Sequence, residues 1–208
     1  MTADDMKAVV CCYWRFVRRC PLVATETTIS SYGFLAEYPP DVMAVSKNGF
    51  LIETEVKLSI ADLRREITKR KYRRHPGLLD PPGSSFTQCF PSRWSIAKFF
   101  YFAVPESIVE RAKPVVRDLY PGAGLLAVEE PETGQFGSVM HQWLSLVMKP
   151  RSLPDARRLA VDATHALTLR VVNQMCSAML DAANCRRNGG ERDLELVDMI
   201  LSVGRETP

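Results

Sequence analysis

Apolar and polar residues recur with two different periods along this chain, and the changes of period mark out its elements. Met6, Val9, Val10, Tyr13 and Val17 repeat at helical spacing between Met6 and Arg19, while Lys7, Arg15 and Arg18 lie mostly off that face. The Thr-, Ser- and Ile-rich stretch 23–38 predicts an extended edge segment. Asp41–Ser46 predicts a short strand, Asn48-Gly49 the tight turn of a hairpin, and Leu51–Lys57 the partner strand. Along that partner Ile52, Thr54 and Val56 point one way, and Leu51, Glu53, Glu55 and Lys57 point the other. Three charged groups thus emerge from one face of a strand otherwise suited to a sheet.

A helix follows, with Ser59 as its N-cap and Asp62 placed to answer it; Ile60, Leu63 and Ile67 form its apolar side, and Pro76 ends it. The Pro-, Gly- and Ser-rich run 76–91 predicts a surface loop. Ser95–Val104 predicts a buried strand whose aromatic run, Phe99 to Phe102, packs on both faces. Pro105 opens a helix to Leu119, with Pro114 as a point for a kink, and Gly124–Val128 predicts a fourth strand. This order describes an α/β sheet domain over residues 1–132. Beyond it, helical periodicity runs through Leu159, Ala160, Ala163, Leu167, Val171 and Met175, with Met175 and Met179 read as core. Gly189-Gly190 separates a short last helix, so 133–208 is a mainly helical extension. It packs on the domain or makes a homo-oligomer.

With 208 residues, 46% hydrophobic and 25% charged, the chain can bury one substantial core. A net charge of +3 says little about partners, but its distribution does. From Asp62 to Arg74 seven Lys or Arg face two acids, so this stretch is more positive than the whole chain. Lys69, Arg70, Lys71, Arg73 and Arg74 are the candidate nucleic-acid contacts, supplying phosphate affinity rather than base readout. Tyr72 could stack on an unpaired base or cover apolar surface, and His75 ends the run. Asp4 and Asp5 stand where a secretory signal would be basic, no stretch reads as a membrane span, and six cysteines show no paired metal-ligand spacing. A cytoplasmic setting with reduced thiols is expected.

The chemistry concentrates on the hairpin. Asp41 begins one strand and Glu55 and Lys57 lie on the other, so strand pairing brings them together. Two carboxylates and a nearby carbonyl suit Mg²⁺ or Mn²⁺, with phosphate oxygens completing the shell. Such a metal polarises a phosphoryl oxygen and acidifies bound water. Lys57 can orient or help deprotonate that water and offset developing charge. Glu53, one pleat repeat from Glu55, is a further metal ligand or an ion-pair partner. The alternatives for the acid-x-Lys triplet are a cross-strand ion pair or a solvated face.

Pro40-Asp41 followed by Glu55-Val56-Lys57 resembles the PD-(D/E)XK nuclease superfamily. The closer resemblance is to MmcB-like bacterial DNA-repair proteins and related phage-borne proteins. It is carried by Asp41-Val-Met-Ala-Val, Glu53-Thr-Glu-Val-Lys-Leu-Ser59 leading into Asp62-Leu-Arg, Phe100-Tyr-Phe-Ala-Val-Pro-Glu106 and Gly124-Leu-Leu-Ala-Val128, across roughly residues 6–130. The resemblance implies a restriction-endonuclease-like mixed sheet flanked by helices, with Asp41 and Glu55 as metal ligands and Lys57 as the catalytic lysine. It implies a metal-dependent nuclease acting on DNA. The Pro/Gly/Ser insertion between Lys71 and Trp94 departs from the pattern and leaves substrate choice open. Two other functions keep the same sheet: a nucleic-acid-binding module without turnover, and an assembly factor whose long C-terminal helix, through Leu159, Leu167 or Val171, makes the main contact. Cys11, Cys12 and Cys20 read as core thiols, and His141 and His165 have no metal-binding partner in register.

Overall fold

The computed structural model describes residues 1–27, 39–68, 97–129, 143–153, 156, 158, 159 and 161–187. The first helix, α1 (Ala3–Cys12), starts where Thr2 and Asp5 cap each other's backbone amides, satisfying two donors that a helix start leaves open. It continues into a π-helical turn, Tyr13–Val17, closed by Arg18 N–H donating to the Tyr13 carbonyl at 2.9 Å. A π turn advances less per residue than an α turn, so the apolar face drifts. Trp14, four residues on from the buried Val10, is in the core, while Val17, expected on the buried face, is 44% exposed.

Six strands form one mixed sheet in sequence order: β1 (Leu22–Thr25), β2 (Val42–Val45), β3 (Leu51–Val56), β4 (Ala97–Pro105), β5 (Gly124–Val128) and β6 (Leu144–Met148). The first three are antiparallel neighbours. The β2–β3 turn closes with Gly49 N–H on the Ser46 carbonyl at 2.8 Å, and Gly49 adopts φ +77°, a left-handed conformation that costs glycine little. From β3 the chain passes through α2 (Ile60–Arg65) to β4, and from β4 through α3 (Val109–Leu119, with Pro114 inside it) to β5, and both of these strand pairs are parallel. β6 returns antiparallel to β5. Its residues lie within 133–208, the stretch expected to be a mainly helical extension. Leu-Ser-Leu-Val-Met carries one polar residue in five, and its burial does not alternate, so the strand offers little of the period of two by which strands are recognised.

Packing divides the sheet into one face and a split second face. On one, Ile52, Val56, Tyr101, Ala103, Leu126 and Val128 meet α1 and its π turn. On the other, Phe100, Phe102, Val104 and Leu125 pack under α2 and α3, whereas Met43, Val45 and Leu51 meet α4 (Val161–Arg187) through Leu167. The aromatic run of β4 therefore does serve both faces. Leu159 and Val171 also pack on this third cluster, so those residues bind the chain's own sheet. Met175 and Met179, expected in the core, are 48% and 45% exposed. A helix of 27 residues is about 40 Å long and outruns the four-residue edge strand beneath it. The final predicted helix lies outside the described residues.

Trp14 locks α1 to the sheet: its indole N–H donates to Thr54 Oγ at 3.0 Å inside the core. Thr54→Val keeps the shape but removes the acceptor, and should destabilise the fold by about 1–2 kcal/mol. Urea denaturation will read this as a lower midpoint with an unchanged slope; an unchanged midpoint would show that the bond contributes nothing.

Candidate active site

Glu53 and Glu55 lie on the split face of the sheet, at the seam between its two apolar clusters. Glu53 pairs with Met43 on β2 and Phe100 on β4, and Glu55 with Phe102. Glu53, Glu55 and Lys57 are only 2–3% exposed. The register that sets Val42 opposite Thr54 brings Asp41, one residue earlier, opposite Glu55. Asp41 is half-buried, and its Oδ2 accepts the Val56 N–H at 2.8 Å, which holds the carboxylate against the end of β3. Lys57 N–H donates to the Ala103 carbonyl at 2.9 Å, prolonging the parallel ladder so that this backbone too is fixed by β4. The predicted trio of Asp41, Glu55 and Lys57 is thus brought to one place by β2, β3 and β4.

Lys57 Nζ stands 3.4 Å from Glu55 Oε2 and 2.9 Å from Glu66 Oε2. Burial alone would lower the pKa of this ammonium, but the carboxylates of Glu55, Glu66 and Asp41 and the hydrogen bond to Glu66 outweigh it and raise the pKa. Lys57 is therefore held as a cation. It can donate to a water or a phosphate oxygen; as a base it is poorly poised.

Glu66 was the residue that sequence reasoning passed over, counting it only as an acid in a basic stretch. Ser59 Oγ accepts the Asp62 N–H at 3.1 Å and starts α2 as expected. The helix then tightens into a 3₁₀ turn, Glu66–Thr68. Three residues per turn align Glu66 with Leu63, so both are fully buried while Ile67, expected on the apolar side, is 36% exposed. The spacing of three from Leu63 to Glu66 was the available signal. Tyr120 Oη secures the turn by donating to the Leu63 carbonyl at 2.7 Å. A second ammonium, Lys7 of α1, bonds Glu26 and Asp4, and its pKa is raised chiefly by Glu26, with a smaller contribution from Asp41.

Among the described residues no three His, Cys, Asp or Glu side chains are grouped closely enough to hold a metal ion by themselves. Mg²⁺ commonly takes only one or two carboxylates and completes its octahedron with water and phosphate oxygens. Asp41 and Glu55, opposed across the hairpin, fit that donor set. Glu53 is on the same face, one pleat further into the sheet. The proposed nucleic-acid contacts Lys69, Arg70, Lys71, Arg73 and Arg74, with Tyr72 and His75, lie outside the described residues, as does His141. Arg64 and Arg65, just before that run, are exposed on α2, and His165 is exposed on α4. Cys20 is buried and Cys11 and Cys12 pack against the α1 cluster, as core thiols do. No described helix is long and apolar enough to cross a membrane.

No protein-family model matches the chain, and no curated protein matches it. Among solved structures it is similar to the SPO1766 protein of unknown function from Silicibacter pomeroyi, with a TM-score of 0.50 and 13% identity over 92% of this chain and 96% of that one. This likeness concerns the fold alone. The chain is a mixed α/β protein with a six-stranded sheet flanked by helices.

Removing Glu66 leaves the buried ammonium one carboxylate short. Glu66→Leu should cost about 3 kcal/mol in chemical denaturation, and the Lys57→Met/Glu66→Leu pair should cost less than the two single changes together. Because the Lys57 pKa is raised on folding, its contribution is intact below its ordinary 10.5 and is lost as pH rises through the folded value. Lys57→Met should flatten that alkaline limb, and a limb of unchanged steepness would contradict the assignment.

Proposed function

We propose that this chain is a metal-dependent nuclease of the PD-(D/E)XK type that hydrolyses phosphodiester bonds in DNA, built on a restriction-endonuclease-like sheet and related to the MmcB-like DNA-repair proteins. The observation that carries this reading is the convergence of Asp41, Glu55 and Lys57: two carboxylates opposed across paired strands with a buried ammonium 3.4 Å from one of them. Asp41 and Glu55 would hold Mg²⁺ or Mn²⁺, with Glu53 behind them. When bound, the metal supplies Lewis acidity and a more acidic water.

The chain's own residues do the rest. The Val56 N–H fixes Asp41, leaving Oδ1 as its oxygen for a cation. Lys57, kept protonated by Glu55 and Glu66, donates to the attacking water or to a non-bridging phosphate oxygen and offsets charge as it accumulates there. Arg64 and Arg65, exposed on α2, are cations of the kind that give phosphate affinity without sequence readout.

A second reading draws on the burial of the site. Glu55 and Lys57 are 2% and 3% exposed, so a phosphodiester meets Asp41 first and reaches the other two only if the cover rearranges. That geometry weighs against turnover, and a nucleic-acid-binding module that keeps the fold would then take its phosphate contacts from cations such as Arg64 and Arg65.

One assay separates the two. Linear, nicked, flapped and single-stranded substrates are incubated with Mn²⁺ and wild-type protein, or with folded Lys57→Ala and Glu55→Gln variants. The nuclease reading expects cleavage by wild type and a loss of about 100-fold or more in each variant. Binding with no cleavage on any substrate supports the module, and equal cleavage by the variants places the chemistry elsewhere.

A further inference from the structure

A cavity of about 520 Å³ lies on the α1 face of the sheet, towards the opposite end of β3 from Glu55. This is within the size range of small-ligand pockets. Its lining includes three aromatic residues, the buried Trp14 and Tyr101 and the half-buried Phe99. Trp14 and Tyr101 meet edge to face, with centroids 5.1 Å apart and planes at 61°. Each ring is held from behind. The Trp14 indole is tied to Thr54, and Tyr101 lies so close over Gly124 that a Cβ there would come within 2.6 Å of the ring. Phe99 is only half-buried and offers the more open surface.

The rim carries charge of one sign. Arg18 at the end of the π turn, Lys47 in the β2–β3 turn and Lys149 after β6 are exposed and line the cavity, and no carboxylate does among the described residues. Their field reaches the buried lining. Burial pushes the Cys20 thiol up, and Arg18, Arg15 and Lys47 each pull it back; burial pushes the Tyr101 phenol up to about 12 against the pull of Arg18. Three elements distant in sequence therefore surround fixed aromatic rings with positive charge. An apolar ligand would leave the three cations unused, and a bare inorganic anion would leave the rings unused.

We propose that this cavity binds a nucleoside 5′-phosphate group, with its base packed on Phe99 and its phosphate among Arg18, Lys47 and Lys149. The group is either a free nucleotide or the phosphorylated end of a single strand, since both present the same planar ring and anion. Base stacking on aromatic rings and charge-assisted hydrogen bonds to phosphate are the interactions the two halves of the cavity provide. The site is separate from Asp41 and Glu55 and does not rest on hydrolysis.

The test is calorimetric titration of the full chain, with chelator present so that metal-dependent binding at Asp41 and Glu55 is silent. The probes are 5′-dAMP, a 5′-phosphorylated short oligodeoxyadenylate, deoxyadenosine and inorganic phosphate. We expect 5′-dAMP or the oligonucleotide to bind at least about tenfold more tightly than deoxyadenosine or phosphate alone. Arg18→Ala/Lys47→Ala/Lys149→Ala, and separately Phe99→Leu, should each weaken that binding by about tenfold or more while circular dichroism stays native. Preference for the oligonucleotide identifies a strand end, and preference for 5′-dAMP a free nucleotide; either supports the site. Failure of both to bind, phosphate binding as well as 5′-dAMP, or unchanged binding by the folded variants would overturn it.

Discussion

Lys57 and the carboxylates around it are buried inside a sheet that would otherwise be apolar, and the surrounding structure is arranged to accommodate them. An unpaired ammonium at this depth would be deprotonated or would drag water in, because desolvation of a charge costs several kcal/mol even after relaxation. Glu55 and Glu66 prevent that, one from the same strand and one from the following 3₁₀ turn. The second depends on a chain of supports: Ser59 starts the helix, Leu63 anchors it, and Tyr120 reaches from the end of α3 to the Leu63 carbonyl. The α2–α3 layer thus acts as a strut for the charge cluster as well as a cover for Phe100 and Phe102.

The seam position of the cluster has a physical reason. Glu53 and Glu55 point to the face that α4 covers on the β1–β3 side and α2 with α3 cover on the β4–β5 side. Among the described residues the two apolar clusters have no member in common, and Glu53 and Glu55 lie between them. A strand with charges on that face can therefore sit at the centre of the sheet while Ile52, Thr54 and Val56, on the other face, pack conventionally against α1. The acids lie where the two layers meet, and Asp41, at the mouth of the hairpin, is the member that keeps contact with solvent.

Much of this was legible from residue order. Alternation along Leu51–Lys57 separates the charged face from the apolar one, and Asn48-Gly49 sets the turn that brings Asp41 opposite Glu55. What escaped were changes of helical pitch. A spacing of 3.6 puts Val17 and Ile67 on buried faces, and each instead lies exposed in a local π or 3₁₀ turn. The buried members of those turns include Trp14 and Glu66, which bond Thr54 and Lys57 and so anchor their elements. Met175 and Met179 failed for another reason: periodicity reports a helix face but not how far a partner surface extends along it. β6 was hidden because Leu144-Ser-Leu-Val-Met148 has one polar residue in five and so no clear period of two.

The protonation state of Lys57 narrows what the cluster can do. A lysine acting as general base needs a depressed pKa, which burial alone would supply. Here three carboxylates reverse the sign, and the ammonium persists. Its contribution is then electrostatic and positional, which suits a reaction whose charge grows on phosphate oxygens and suits equally well the retention of a phosphate without cleavage. The difference between those two outcomes turns on Glu55. If its carboxylate is spent on Lys57, the cluster is a closed ion pair; if Lys57 is carried by Glu66, at the shorter distance of 2.9 Å, Glu55 could turn to a metal shared with Asp41. Glu66, the nearer of the two carboxylates to Lys57, is the partner whose presence would free Glu55 for the metal that the proposed hydrolysis requires.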